Sequence, residues 1–324
     1  MRPVKPSRKA LPIEVTRAAA SVPRWTPVVV LGVGVLAVST ASVFVRMAQQ
    51  SGAPSLAIAA LRLTLASLIL LPWCWRRCRG EFRHLSRREW LVATACGGLL
   101  GLHFATWISS LQFTTVTSSV VLVTVAPLFV AFGSALFLRE KLSRQVWTGI
   151  LLAVAGGLLI GLSDASGAPA DSAPRPLLGN SLALAGALSI AAYFLIGRGL
   201  RLKLSLLAFI SLAYGFAAVA LLACALITRT PLAGYDPPAY AWIALLALIP
   251  QLVGHTSFNW ALGHLSTTYA TIPALGEPVG STLLAIAILG ETVSPAKALG
   301  GALTLAGLLI MSVRLNRAGA GSAE

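Results

Sequence analysis

The fold is decided by the stretch PLFVAFGSALFLREKLSRQVWTGILLAVAGGL at residues 127–158, whose pattern recurs 151 residues later as PVGSTLLAIAILGETVSPAKALGGALTLAGLL at residues 278–309. Each stretch opens on a proline, carries a glutamate and then a serine after its first apolar run, and ends in a glycine-rich apolar segment. Solenoid repeats are roughly 20–50 residues long, so a unit of this size is too long for a solenoid. The pattern therefore indicates a duplicated half-protein.

The composition is typical of an integral membrane protein. The chain is 56% hydrophobic and 11% charged, with a mean hydropathy of +0.82. Soluble domains carry about 25% charged residues, and a spanning helix needs about 20 mostly apolar residues. The apolar runs are continuous, unlike the alternating segments of about 10 residues in membrane barrels. We predict ten transmembrane helices, near residues 28–48, 55–73, 91–111, 117–138, 146–162, 178–198, 204–227, 240–263, 266–289 and 296–314.

The basic charge is distributed as a topology signal. The net charge of +15 comes from 25 Lys and Arg against 10 Asp and Glu. If the N-terminus is cytoplasmic, 20 of these 25 residues lie on the cytoplasmic side, four lie outside, and Arg62 lies within the membrane. The positive-inside rule therefore places the tails 1–27 and 315–324 on the cytoplasmic side. The membrane that we expect is the cell inner membrane. We expect the lipid bilayer, and no nucleic acid, as the partner of this charge.

An odd number of spans in each copy means that the copies are inverted. We predict a first five-helix repeat at residues 28–162, an outer linker at 163–177 and a second five-helix repeat at 178–314. The second repeat must then enter the bilayer from the opposite side. Inverted repeats recur in secondary transporters, where the substrate site lies at the midplane between the halves. We therefore predict an all-α integral membrane protein. The inverted repeats would allow transport by alternating access.

The chain resembles the EamA family of the drug/metabolite transporter superfamily over about residues 28–314. The residues that carry the resemblance are Leu138-Arg139-Glu140, Glu277-Pro278, Leu289-Gly290-Glu291 and Ala60-Leu61-Arg62-Leu63. The first span departs from the family pattern, because it reads Ser39-Thr40-Ala41-Ser42 where a Trp-Gly pair is common. The resemblance implies efflux of a small metabolite, amino acid or drug, and a small-molecule substrate as partner.

Polar residues near the centres of spans are the candidate site. Charged side chains are costly in the bilayer, so they face protein or water. His103 and Trp107 lie on one face of the third span, and Gln251, His255 and Asn259 follow one another at four-residue spacing in the eighth. Such stripes predict a cavity lining. The alternative is hydrogen bonding between packed helices.

Glu277 is the most informative single residue. It precedes Pro278 in the middle of the ninth span, where a proline interrupts the helical hydrogen bonds. A membrane-embedded carboxyl group at such a break could bind a cationic part of the substrate or a coupling proton. The alternative is a structural pair with an imidazole or with Arg62.

Two further residues have two interpretations each. Arg62 could hold a substrate carboxylate in a bidentate contact, or it could brace the second span. Tyr269 could meet an aromatic substrate part, or it could pack in the core. Glu140 and Glu291 end the fourth and ninth spans, where we expect them to anchor loops.

The glycines of the fifth and tenth spans, including Gly149, Gly156, Gly300 and Gly307, predict close helix contact. They favour either an internal scaffold or a homodimer through these two spans.

The chain shows no metal-ligand spacing, no Walker lysine motif and no HExxH motif, so we expect no cofactor, no metal and no catalytic residue. A secondary active transporter is the leading function, and the alternatives are a membrane channel or scaffold and, less favoured, a membrane enzyme.

Overall fold

A computed structural model of the chain describes residues 25–138, 144–166, 174–264 and 275–320, and these residues form a helical bundle. The helices are α1 (Thr26–Ser39), α2 (Ala41–Gln50), α3 (Ser55–Arg77), α4 (Arg79–Arg83), α5 (Arg87–Phe113), α6 (Val116–Val123), α7 (Ala126–Leu138), α8 (Arg144–Ala165), α9 (Pro176–Lys203), α10 (Leu206–Ile227), α11 (Pro237–Leu246), α12 (Thr256–Leu262), α13 (Gly276–Leu284) and α14 (Pro295–Ala320). A π-helical segment, Ala247–His255, joins α11 to α12, and a second, Ala285–Leu289, follows α13.

Eight helical segments among the described residues are long and apolar enough to cross a membrane. They are Thr26–Gln50, Ser55–Arg77, Arg87–Phe113, Val116–Gly133, Arg144–Ala165, Pro176–Lys203, Leu206–Ile227 and Pro237–Leu262. Two shorter apolar helices, Gly276–Leu289 and Pro295–Ile310, lie where the ninth and tenth spans were predicted. The prediction of an all-helical, multi-pass membrane protein is therefore confirmed.

Several spans are interrupted near their middle. The first breaks at Thr40, where the Ser39 hydroxyl donates to the Val35 carbonyl and the Thr40 hydroxyl donates to the Ala37 carbonyl, both at 2.8 Å. Such back-bonding competes with the helical pattern and bends helices. The fourth span breaks before Pro127, which has no N–H to donate in the first turn of α7. In the eighth, Pro250 lies within the first π-helical segment.

Helices α8 and α14 pack through glycines that have no room for a side chain. A Cβ atom added to Gly156 would lie 2.4 Å from the Gly300 carbonyl oxygen, and one added to Gly307 would lie 2.4 Å from that of Gly149. At the 151-residue offset, Gly149 corresponds to Gly300 and Gly156 to Gly307. Gly156 therefore meets Gly300, and their equivalents Gly307 and Gly149 meet in the same way. This exchange of partners is the pattern of a contact across a two-fold axis.

This contact supports the scaffold interpretation of the glycines. The faces of α8 and α14 that carry Gly149, Gly156, Gly300 and Gly307 cover each other within one chain. They act as scaffold, and nothing in the described residues supports a homodimer through them.

Substitution of Gly156 by alanine is expected to lower the free energy of unfolding by about 1–3 kcal/mol, because overpacking forces the two backbones apart. Gly161 lies on the same helix, and a Cβ atom there meets nothing within 4 Å. Gly161→Ala should therefore cause no loss. Unfolding titrations in detergent micelles compare the two variants, and an equal loss in both would contradict the packing argument.

Candidate functional site

A central cavity lies where the interrupted spans meet. Its polar lining residues are His103, Trp107, Thr124, His255 and Glu277. The cavity has a volume of about 70 Å³. That is room for a few water molecules or a small functional group, whereas drug-sized ligands occupy clefts of roughly 300–1,000 Å³. In the conformation described, the site is therefore compact.

The cavity is bounded by helices that correspond to one another at the 151-residue offset. The segment α1–α2 corresponds to α9, α5 to the segment from α11 to α12, and α6–α7 to α13. All six contribute lining residues. Ala126 and Glu277 occupy equivalent positions and both line the cavity. Because its partner position holds an alanine, Glu277 makes the two sides of the cavity chemically different.

The two imidazoles and one indole lie together in the wall. The ring of His103 stacks on Trp107, with centroids 6.1 Å apart, and meets His255 edge-on at 6.2 Å. His103 Nδ1 is 3.0 Å from the Gly186 carbonyl oxygen. A carbonyl only accepts, so Nδ1 carries the proton in this contact and Nε2 of a neutral ring is left as an acceptor. The buried Trp107 Nε1 has no acceptor among the described residues.

Arg62 and Gln251 lie one side-chain layer behind this wall. Arg62 is fully buried, its Nε donates to Gln251 Oε1 at 3.1 Å, and its guanidinium covers the Phe104 ring at 4.2 Å. Phe104 in turn contacts His255, with ring centroids 5.0 Å apart. Within the described part of the chain, Arg62 Nη1 and Nη2 and Gln251 Nε2 have no acceptor. The core behind the cavity therefore holds three buried N–H groups with no hydrogen-bond acceptor among the described residues.

Glu277 lies in the first turn of α13, where the positive end of the helix dipole favours a carboxylate. It is close enough to Arg62 to interact electrostatically. Neither residue takes part in an ion pair within the described part of the chain, apart from this longer-range interaction. Gly276 permits the close approach of α1, because a Cβ atom there would lie 2.9 Å from Val35 Cγ1. The carboxyl group therefore lines the cavity with no fixed partner cation among the described residues.

Asn259 is not among the cavity-lining residues. Its Oδ1 accepts a hydrogen bond from the Tyr193 hydroxyl at 2.7 Å, and its Nδ2 donates to the Tyr214 hydroxyl at 3.4 Å. This is the hydrogen bonding between packed helices that the sequence left open as an alternative. Tyr269 and Glu140 lie outside the described residues.

Glu291 anchors one end of the bundle, as predicted. Its Oε1 accepts from the Val116 backbone N–H at 2.9 Å and lies 3.8 Å from Arg46 Nη2. Arg46 also donates to the Thr114 carbonyl at 2.8 Å. One carboxylate thus ties the chain after the second π-helical segment to α2 and to the start of α6.

Sequence reasoning missed a buried ion pair and most of the apolar cavity wall. Lys297 Nζ lies 2.8 Å from Asp164 Oδ1, and both side chains are at most 4% exposed. Asn180 donates to the other oxygen of Asp164 at 2.7 Å. The sequence had placed Asp164 in the linker, and no local pattern joins it to Lys297. The missed apolar lining residues are Val38, Ala41, Val123, Ala126, Pro127, Ile190, Phe194 and Phe258.

The profile of the EamA-like transporter family matches residues 25–162 and again residues 177–313. The chain belongs to this family. EamA proteins are members of the drug/metabolite transporter superfamily, so the expectation from sequence is confirmed. This EamA protein is a multi-pass membrane protein of a family that moves small solutes across membranes.

Relatives of this EamA protein are also transporters. It is 28% identical over 274 residues to an uncharacterized transporter of Archaeoglobus fulgidus, covering 84% of this chain and 90% of that protein. It is 32% identical over 161 residues to the uncharacterized transporter YetK of Bacillus subtilis, covering 48% of this chain and about half of YetK (47%). A protein of known crystal structure shares its fold with a TM-score of 0.62 at 22% identity, over 91% of this chain and 99% of that one.

Proposed function

We propose that this EamA protein is a secondary active transporter that exports a small organic metabolite, amino acid or drug across the cell membrane. In this proposal ten helices form two inverted five-helix repeats, 28–162 and 178–314, with both termini in the cytoplasm. The single observation that carries the proposal is the cavity lined by three pairs of equivalent helices and by Glu277.

Alternating access follows from the inverted arrangement. If the halves are related by an axis in the membrane plane, exchanging their conformations closes one opening of the cavity and opens the other. The reciprocal glycine contact between α8 and α14 supports such an axis, because it pairs Gly149 with Gly307 and Gly156 with Gly300. The backbone breaks at Thr40 and Pro127 lie beside the cavity and supply flexible points for this exchange.

Glu277 is the residue we assign to cation or proton binding. A carboxyl group that lines a cavity and has no fixed partner cation is free to take either one. Arg62, held by Gln251 behind the wall, acts on it through its charge and not through direct contact. When Glu277 has bound a cation or proton, that ligand compensates the carboxylate charge. When it has not, the nearby charge of Arg62 does so.

His103, Trp107 and His255 are assigned to the less polar part of the substrate. The His103 ring lies 6.1 Å from the Trp107 ring and 6.2 Å from the His255 ring, and all three residues line the cavity. The indole Nε1 and the free imidazole nitrogens add hydrogen-bonding groups at the same place. This combination suits a small solute with one polar end and one planar or apolar end.

Counterflow in proteoliposomes tests this function. Vesicles are loaded with one unlabelled solute from a panel of amino acids, nucleobases and cationic drugs, and the same labelled solute is added outside. A carrier should accumulate label transiently in the loaded vesicles only. Equal flux into loaded and empty vesicles would indicate a channel, and no flux for any solute would indicate a scaffold.

A further inference from the structure

A second and larger cavity lies on the side of the bundle, between α7, α8 and α9. Its volume is about 760 Å³, and the described residues that line it are apolar except for Asn180 and Ser181 near one end. Gly161 of α8 lines it, and a Cβ atom added there meets nothing within 4 Å. No neighbouring described side chain therefore fills the groove at Gly161.

The groove faces the lipid. Large apolar side chains on its rim remain exposed in the protein, with Leu158 at 63%, Leu162 at 68% and Leu177 at 59%. These residues belong to helices that are long and apolar enough to cross the bilayer. Since the solvent around such helices is hydrocarbon, acyl chains are the molecules that can fill an apolar groove here.

A positive charge lies in the chain next to one end of the groove. Arg175 is exposed at the start of α9, one residue before Pro176, and its backbone N–H is bound to the Phe113 carbonyl at 3.3 Å. Leu177 and Asn180 of the same turn line the groove. A phosphate at this position would meet the guanidinium and the positive end of the α9 dipole.

We propose that this groove is a binding site for one membrane phospholipid, with an acyl chain along α8 and the phosphate at Arg175. The lining runs along α8 from Ile150 to Ala165, a rise of about 22 Å at 1.5 Å per residue. That exceeds the roughly 15 Å of hydrocarbon in one leaflet, so a whole acyl chain lies inside the groove. Ser181, which lines the same end of the groove, then lies beside the glycerol region, whereas Asn180 is held by Asp164 and Thr114.

The bound chain would support the wall of the central cavity. Leu122 and Val125 face the groove, while Val123 and Thr124, their neighbours at the α6–α7 break, line the central cavity. Only this interrupted segment separates the two spaces. Lipid binding itself is independent of the transport function, so the two proposals can fail separately.

Photo-crosslinking in vesicles tests the site. The full chain is reconstituted in phosphatidylcholine vesicles that contain a phosphatidylglycerol with a diazirine on one acyl chain, and crosslinked peptides are mapped. Crosslinks should concentrate on residues 150–165. In Gly161→Phe they should fall by about tenfold, because the ring displaces several buried methylene groups. Gly98→Phe is the matched control, since Gly98 of α5 is also exposed with nothing within 4 Å.

The headgroup is tested in the same vesicles. Arg175→Gln should lower crosslinking on α8 by about threefold through loss of one charge-assisted contact, and Arg229→Gln, at another exposed arginine, should leave it unchanged. Crosslinks spread evenly over all lipid-facing helices, or an unchanged yield in Gly161→Phe, would overturn the proposal. An unchanged yield in Arg175→Gln would overturn the placement of the phosphate.

Discussion

Replacing Glu277 with glutamine is expected to lower the rate of proton-driven export by about 10- to 150-fold, the factor that corresponds to a charged hydrogen bond worth about 1.5–3 kcal/mol. Glutamine keeps the shape of the side chain in the first turn of α13, so folding and insertion should be retained. It removes the only carboxylate among the described residues that line the central cavity.

Two measurements separate the roles proposed for Glu277. If the carboxylate binds a cationic part of the substrate, Glu277→Gln should lose both counterflow and uphill transport. If it carries the coupling proton, counterflow should persist while a pH gradient no longer drives accumulation. Glu89→Gln is the control, because Glu89 pairs with the exposed Lys203 at the bundle surface. Wild-type uphill transport in Glu277→Gln would remove the functional role and leave a structural one.

Removing one partner of the buried ion pair should cost more stability than any other single change considered. Lys297→Met leaves Asp164 charged and buried, which typically destabilises by about 3–5 kcal/mol. The double variant Lys297→Met with Asp164→Leu should recover most of this loss, because the buried carboxylate is then removed together with the lysine that compensates it. The free energy of unfolding in detergent micelles is the measurement.

A surface pair provides the control for this prediction. Lys203→Met breaks the pair with Glu89, which water and ions screen, so its effect should be far smaller. If Lys297→Met were as stable as Lys203→Met, the Asp164–Lys297 contact would not be a stabilising element of the folded protein.

Part of the site could be predicted from sequence, because a polar residue inside an apolar span is costly in lipid and faces either protein or a cavity. His103, Trp107, His255 and Glu277 were all predicted, and all line the central cavity. Their roles in transport stay predictions.

The stripe of Gln251, His255 and Asn259 shows why helical spacing misleads here. Four-residue spacing places side chains on one face only in a regular α-helix. Residues 247–255 form a π-helical segment with more residues per turn, so the three side chains separate. His255 lines the cavity, Gln251 binds Arg62 behind the wall, and Asn259 binds two tyrosines.

Composition and spacing were sufficient for the membrane class and for the helical, multi-pass architecture, because both depend on hydropathy along the chain. The resemblance of short motifs was sufficient for the family. The tertiary structure decided which faces meet. Glycines of α8 and α14 cover each other, Asp164 finds Lys297, and apolar residues such as Phe194 and Phe258 complete the cavity. In a chain this apolar, hydropathy cannot distinguish a side chain that faces lipid from one that faces another helix, because both surroundings are apolar.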